Sequence, residues 1–225
     1  TSSSKNNLLE YLSSSALDCV DGFLVLIESS PGEVITNQAW LTNAREFFLE
    51  LLSCSKPVIW SQADMSGLVM GLPGLSLGMG EFQSQRRFNL MDEKAGGGKR
   101  GLFYYAPIIW GRIKWTSGLD AISTYGKYPH FFCVEPCCSS VNFNSLPTQT
   151  ETELALHMLI SFRGQFNKYV TAGGKAQAKK DIENAITYYR EIPRLSLVAR
   201  EALIKDFKPN TETFLQRWLD SFYSV

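Results

Sequence analysis

Three sets of side chains in this sequence have the types that chemistry needs. Cys133, Cys137 and Cys138, with His157 downstream, make a soft-ligand set of four, the number that a tetrahedral zinc ion takes. The Cys-x3-Cys-Cys spacing departs from the usual two-residue knuckle. In the competing reading, Cys133 packs as a small hydrophobe behind Phe131 and Phe132. A nucleophilic cysteine would need His130 or His157 as its base, and neither sits in a recognisable catalytic context. The second set is Glu28, Asp64 and Glu81, each at the end of an apolar run. Carboxylates gathered at one edge do general acid, general base or nucleophilic work. Their other role is to cap the helices that follow strands.

The third set is basic. Arg86 and Arg87 follow an apolar run, Lys94, Lys99 and Arg100 lie in a glycine-rich stretch, and Arg112 and Lys114 stand among Trp110 and Trp115. Cations interleaved with aromatics suit a nucleic acid with unpaired bases, through phosphate contacts and stacking. A solvated face beside core tryptophans is the plainer reading. Gly96, Gly97 and Gly98 before Lys99 and Arg100 lack the P-loop spacing and its Ser or Thr, which excludes phosphate-loop NTPase chemistry. Lys175, Lys179 and Lys180 form the polar side of a helix opposite an apolar stripe.

These residues need elements to hold them. Residues 21–28, 56–64 and 75–81 are apolar runs divided by helical or turn segments, as expected of parallel strands buried on both faces. Parallel α/β sheets present ligands at the carboxyl ends of their strands, where Glu28, Asp64 and Glu81 stand, with Asp21 at the opposite edge. Residues 38–53 carry Trp40, Leu41, Ala44, Phe47, Phe48, Leu51 and Leu52 at helical spacing. Residues 65–70 predict a short helical turn closed by Pro73 and Gly74. Residues 102–115 are strand-like but broken by Pro107 and Gly111.

From about residue 150 onward the pattern is helical. Leu154, Met158, Phe162, Phe166 and Tyr169 line one helix, and Ala178, Ile182, Ala185, Ile186 and Tyr189 a second beyond Gly173 and Gly174. Pro193 opens a third segment. Asn210 is placed to cap a last helix carrying Phe214, Leu215, Trp218, Leu219 and Phe222. The expected organisation is an α/β domain over residues 1–149 and a helical C-terminal region over 150–225.

Composition narrows the classes. At 225 residues with 44% hydrophobic and 12% aromatic content, the chain can build a substantial core. Lys plus Arg equals Asp plus Glu at 22 each, so net charge steers neither nucleic acid nor membrane. The sequence offers no run long enough to span a bilayer and no signal peptide. Five cysteines without a secretion signal predict reduced thiols and a cytoplasmic location. The start at Thr1, without Met, suggests a processed, tagged or excised segment.

Closed parallel barrels take about 250 residues, and only three or four strands are legible here, in a pattern that starts mid-rhythm. The expected fold is a partial (β/α)8-type parallel barrel with a C-terminal helical extension, a small open sheet being the alternative. Its missing strands would lie on a protein partner or an N-terminal segment.

The GLSLGMGE strand, the FFCVEPCC segment, His157 on a downstream helix and the terminal amphipathic helices together resemble the C-terminal part of barrel proteins similar to queuine tRNA-ribosyltransferase. The likeness runs loosely over residues 19–190. It implies a (β/α)8 barrel, zinc held by cysteines and a histidine, and exchange of a base in a nucleic acid by an aspartate nucleophile. The family's cysteines are more tightly spaced, its histidine lies further away, and its nucleophile motif does not occur in this sequence. No catalytic nucleophile is therefore carried over. The resemblance points to a diverged transglycosylase-like domain that binds nucleic acid at the strand ends. The alternative function is a non-catalytic subunit of a larger complex, with Phe214, Trp218, Phe222 and Tyr223 suited to docking a partner.

Overall fold

The first helix shows how directly the apolar spacing is realised. In the computed structural model, which describes residues 7, 10, 20–27, 37–63, 65–79, 103–114, 133, 151–191 and 211–223, helix α1 spans Gln38–Ser53. The Asn37 side chain caps it by accepting from the Trp40 backbone N–H at 2.9 Å. Leu41, Ala44, Phe48 and Leu51 point into the core, on one face of the helix. Ser55, in the left-handed region at φ 58°, then turns the chain into a strand.

Strands β1 (Phe23–Val25), β2 (Val58–Ser61) and β3 (Leu75–Gly78) form a parallel sheet in the order β1-β2-β3. The register sets Phe23 beside Val58 and Val58 beside Leu75, then Leu24 beside Ile59 and Ile59 beside Ser76. Alternation then sorts the side chains into two faces. Val58, Trp60 and Leu75 are buried on one of them. Trp60 packs there against Phe48 at 5.0 Å and Trp40 at 6.2 Å, both from α1. The short helix α2 (Ser66–Met70) lies on this same face. A Cβ at Gly67 would stand 3.1 Å from the Trp60 ring and 3.3 Å from Leu77, a close approach of helix to sheet that a side chain there would crowd. The helices α1 and α2 that follow β1 and β2 thus both cover one side of the sheet.

The other face is open. Leu24 is 69% exposed and Ile59 42%, and Leu26 beyond β1 is exposed as well. This corrects the expectation that these strands are buried on both sides. Their composition is apolar throughout, but both connecting helices pack on one side only. The strands are also shorter than expected. Pro57 has no N–H to donate, and its carbonyl accepts from Phe23 at 2.8 Å where pairing with β1 begins. A left-handed Gln62, φ 54°, follows the end of β2.

Strands β4 (Phe103–Ala106) and β5 (Gly111–Lys114) pair antiparallel in a sheet of their own. A 3-10 turn at Pro107–Ile109 reverses the chain, completed by Trp110 in the left-handed region. Residues 103–114 therefore fold as a hairpin. They add no further strand to the parallel sheet.

The helices close the core. Helices α3 (Glu151–Tyr169) and α4 (Gly174–Glu191) form a hairpin whose turn uses Gly173 at φ 83°. Asp181 clamps it, accepting from Lys168 at 2.7 Å, Tyr169 at 2.8 Å and Gln177 at 2.7 Å. Helix α5 (Thr211–Tyr223) packs against α1 and α4. Its Tyr223 hydroxyl donates to the Val69 carbonyl of α2 at 2.5 Å. Leu154, Met158, Phe162 and Tyr169, then Ala178, Ile182, Ala185, Ile186 and Tyr189, then Phe214, Leu215, Trp218 and Phe222 are all buried, as their spacing predicts, and with Tyr223 buried too the aromatics of α5 fill the core of this chain instead of standing exposed to dock a partner. Among the described residues, no helix is long and apolar enough to cross a membrane. The segment expected from Pro193, the Asn210 cap and the glycine-rich stretch lie outside the described residues.

Candidate functional site

Two of the four candidate zinc ligands meet at one tyrosine. Strand β4 carries Tyr104 and Tyr105, both about 1% exposed. His157, on the inner face of α3, stacks on the Tyr104 ring at 4.5 Å and an interplanar angle of 10°. The Tyr104 hydroxyl in turn accepts from the backbone N–H of Cys133 at 2.7 Å. His157 Nε2 lies 2.7 Å from the Tyr105 carbonyl oxygen. A carbonyl can only accept, so Nε2 carries the proton and donates it. Any metal bond from this imidazole would then come from Nδ1, the arrangement in which a backbone carbonyl orients a ligating histidine. The same contacts equally suit a core histidine that is simply well packed.

Cys133 is half-buried. Cys137 and Cys138 lie outside the described residues. Among the described residues, no group of three or more His, Cys, Asp or Glu side chains converges where a metal could sit.

The electrostatics of the pair follow from burial. Desolvation holds His157 below its ordinary value of 6.5, with the Tyr105 hydrogen bond opposing the shift. The folded protein therefore binds this proton more weakly than the unfolded chain does. Stability from the neutral ring is complete above 6.5 and declines as pH falls from there toward the depressed folded value. Denaturant midpoints measured across this window should drop with acidification. They should drop less in His157→Gln, whose amide can still donate to Tyr105. Equal pH slopes for the two proteins would show that the ring is not held neutral.

Beside this pair, Tyr105 turns its hydroxyl to Gln165 Oε1 at 2.9 Å, and Gln165 Nε2 donates to the Pro107 carbonyl at 3.2 Å. Sequence reasoning missed Tyr104, Tyr105 and Gln165. The available signal was a pair of tyrosines in an otherwise apolar strand, since a buried tyrosine must bring its hydroxyl to a partner.

The other candidates are placed less fully. Glu28, Asp64 and Glu81 lie outside the described residues, as do Arg86, Arg87, Lys99 and Arg100. Arg112 and Lys114 are on β5, opposite Tyr105 and Phe103 in the register. Their side chains are not among the described ones. At the carboxyl end of the sheet, the Ala63 N–H donates to the Gly78 carbonyl at 3.1 Å, joining β2 and β3 where Asp64 follows in sequence. Ser66, fully buried, opens α2 just beyond. Compared with known proteins, the chain matches no family model, no curated protein and no solved structure.

Proposed function

We propose that this chain works by assembly: it supplies three consecutive strands to a larger parallel α/β layer, a partial (β/α)8-type barrel. The remaining strands would come from a protein partner or from further polypeptide joined to this one. The observation that carries this reading is the row of exposed Leu24, Leu26 and Ile59 on the sheet face opposite the helices. Parallel sheets are stable when both faces are covered, and the inner face of a barrel is filled by bulky branched side chains of this kind. The same-side crossovers support it, because singly wound strands curl toward their uncovered face. Strands β1 and β3 are the edges of this sheet among the described residues, where a further strand would pair.

Light scattering and apolar-dye binding on the 225-residue chain test this reading. The expected result is self-association or strong dye binding under native conditions. A well-folded monomer that binds no dye would end it.

A second reading, a diverged transglycosylase-like domain that binds nucleic acid and zinc, draws support from the approach of Cys133 and His157 to Tyr104. Cys137 and Cys138 would complete the ligand set, and zinc there would tie the Cys-rich segment to β4 and α3. Metal analysis of the purified protein checks it. The expected result is about one zinc per chain, reduced in Cys133→Ser and in His157→Ala, with salt-sensitive retention on nucleic acid. Metal-free protein that nucleic acid does not retain would remove this support.

A further inference from the structure

Helix α3 is apolar on two sides. Its inner side holds Leu154, His157, Met158 and Phe162. On its outer side Leu156, Leu159 and Ile160 are 54%, 40% and 44% exposed. Glu153 is exposed one turn before this patch and Arg163 one turn after it. Along one outward face the order is therefore acid, apolar, apolar, base.

We propose that this face pairs with the same face of a second copy of the chain, the two α3 helices running antiparallel about a two-fold axis near the middle of the patch. An isologous contact requires a surface that is its own complement. Antiparallel pairing brings Glu153 near Arg163 of the second copy, and Arg163 near its Glu153, with Leu156 and Ile160 opposed between them. Parallel pairing would set Glu153 beside Glu153 and Arg163 beside Arg163, which like charges oppose. The charge order thus selects both the partner and the direction.

Three aliphatic side chains make a small contact, below the size of standard stable interfaces. The dimer is accordingly weak and reversible, with a dissociation constant of about 10 µM or higher. This surface is separate from the open sheet face and does not depend on it.

Sedimentation velocity on the full chain tests the proposal. It is run in an Ile59→Asp background, so that association through the sheet face does not contribute, at concentrations from about 5 to 500 µM. The expected result is a monomer–dimer equilibrium that Leu156→Glu with Ile160→Glu shifts at least about tenfold toward monomer, while the helical circular dichroism stays unchanged. Glu153→Arg and Arg163→Glu should each weaken the dimer, and their combination should restore it to within about threefold of the starting affinity. A monomer throughout the range, or a dimer indifferent to the apolar pair, overturns the proposal. Failure of the double reversal to restore affinity overturns the antiparallel register. A dimer in the wild-type chain that disappears in Ile59→Asp alone also overturns it, while leaving the sheet-face reading intact.

Discussion

Replacing Trp218 by alanine should lower stability by about 3–5 kcal/mol, the cost of deleting a fully buried aromatic where the surroundings collapse only partly. Trp218 has no exposed surface. It meets Trp110 edge-on at 5.9 Å and Phe214 edge-on at 4.9 Å, and Trp110 is stacked in turn on Tyr169 at 5.7 Å. One side chain therefore joins α5 to the β4–β5 hairpin and to the end of α3. Domains commonly carry only about 5–15 kcal/mol in total, so the variant should melt at least about 6 °C lower. Trp218→Phe, which keeps an edge-on ring, should lose less. Thermal melts followed by near-UV circular dichroism check both. A Trp218→Ala protein within about 1 kcal/mol of wild type would mean that α5 is not part of the cooperative core.

That cluster also shows how much of the fold the sequence makes legible. Helices α1, α3, α4 and α5 could be read because a helix writes its buried stripe into residue spacing: Leu41, Ala44, Phe48 and Leu51 recur every three or four positions and all face inward. Strands β1 to β3 were legible as strands, but not as a half-covered sheet. Leu24 and Ile59 are as apolar as Val25 and Val58, so composition gives no sign that the helices choose one side. Residues 103–114 were legible as extended. Their antiparallel pairing depends on the turn at Pro107–Ile109 and on Trp110 taking a left-handed backbone, which a β-prone tryptophan does not advertise.

The candidate site divides in the same way. His157 was legible as a residue type, and its separation from Cys133 gave no hint that Tyr104 would join them. That contact depends on β4 packing against α3, with His157 52 positions beyond Tyr105. The strand-end acids were an inference from topology alone, and Glu28, Asp64 and Glu81 lie outside the described residues.

The sharpest test of the sheet comes from two adjacent residues. Val58 and Ile59 are neighbours on β2, pointing to opposite faces, the first about 1% exposed and the second 42%. Aspartate at Val58 would put an unpaired carboxylate between the sheet and α1. Such groups are either ionised at a cost of several kcal/mol or forced neutral, so Val58→Asp should lose about 3–5 kcal/mol and leave little folded protein. Aspartate at Ile59 meets water and should change folding stability by less than about 1 kcal/mol. If the open face is where further strands of a barrel dock, Ile59→Asp should instead abolish dye binding and weaken sheet-mediated association at least about tenfold. Chemical denaturation reads the first effect, and light scattering with dye titration reads the second. Similar stability losses for the two variants would place both residues in the core and close the face that assembly needs. Unchanged dye binding and association in a folded Ile59→Asp protein would show that this face, though apolar, recruits nothing.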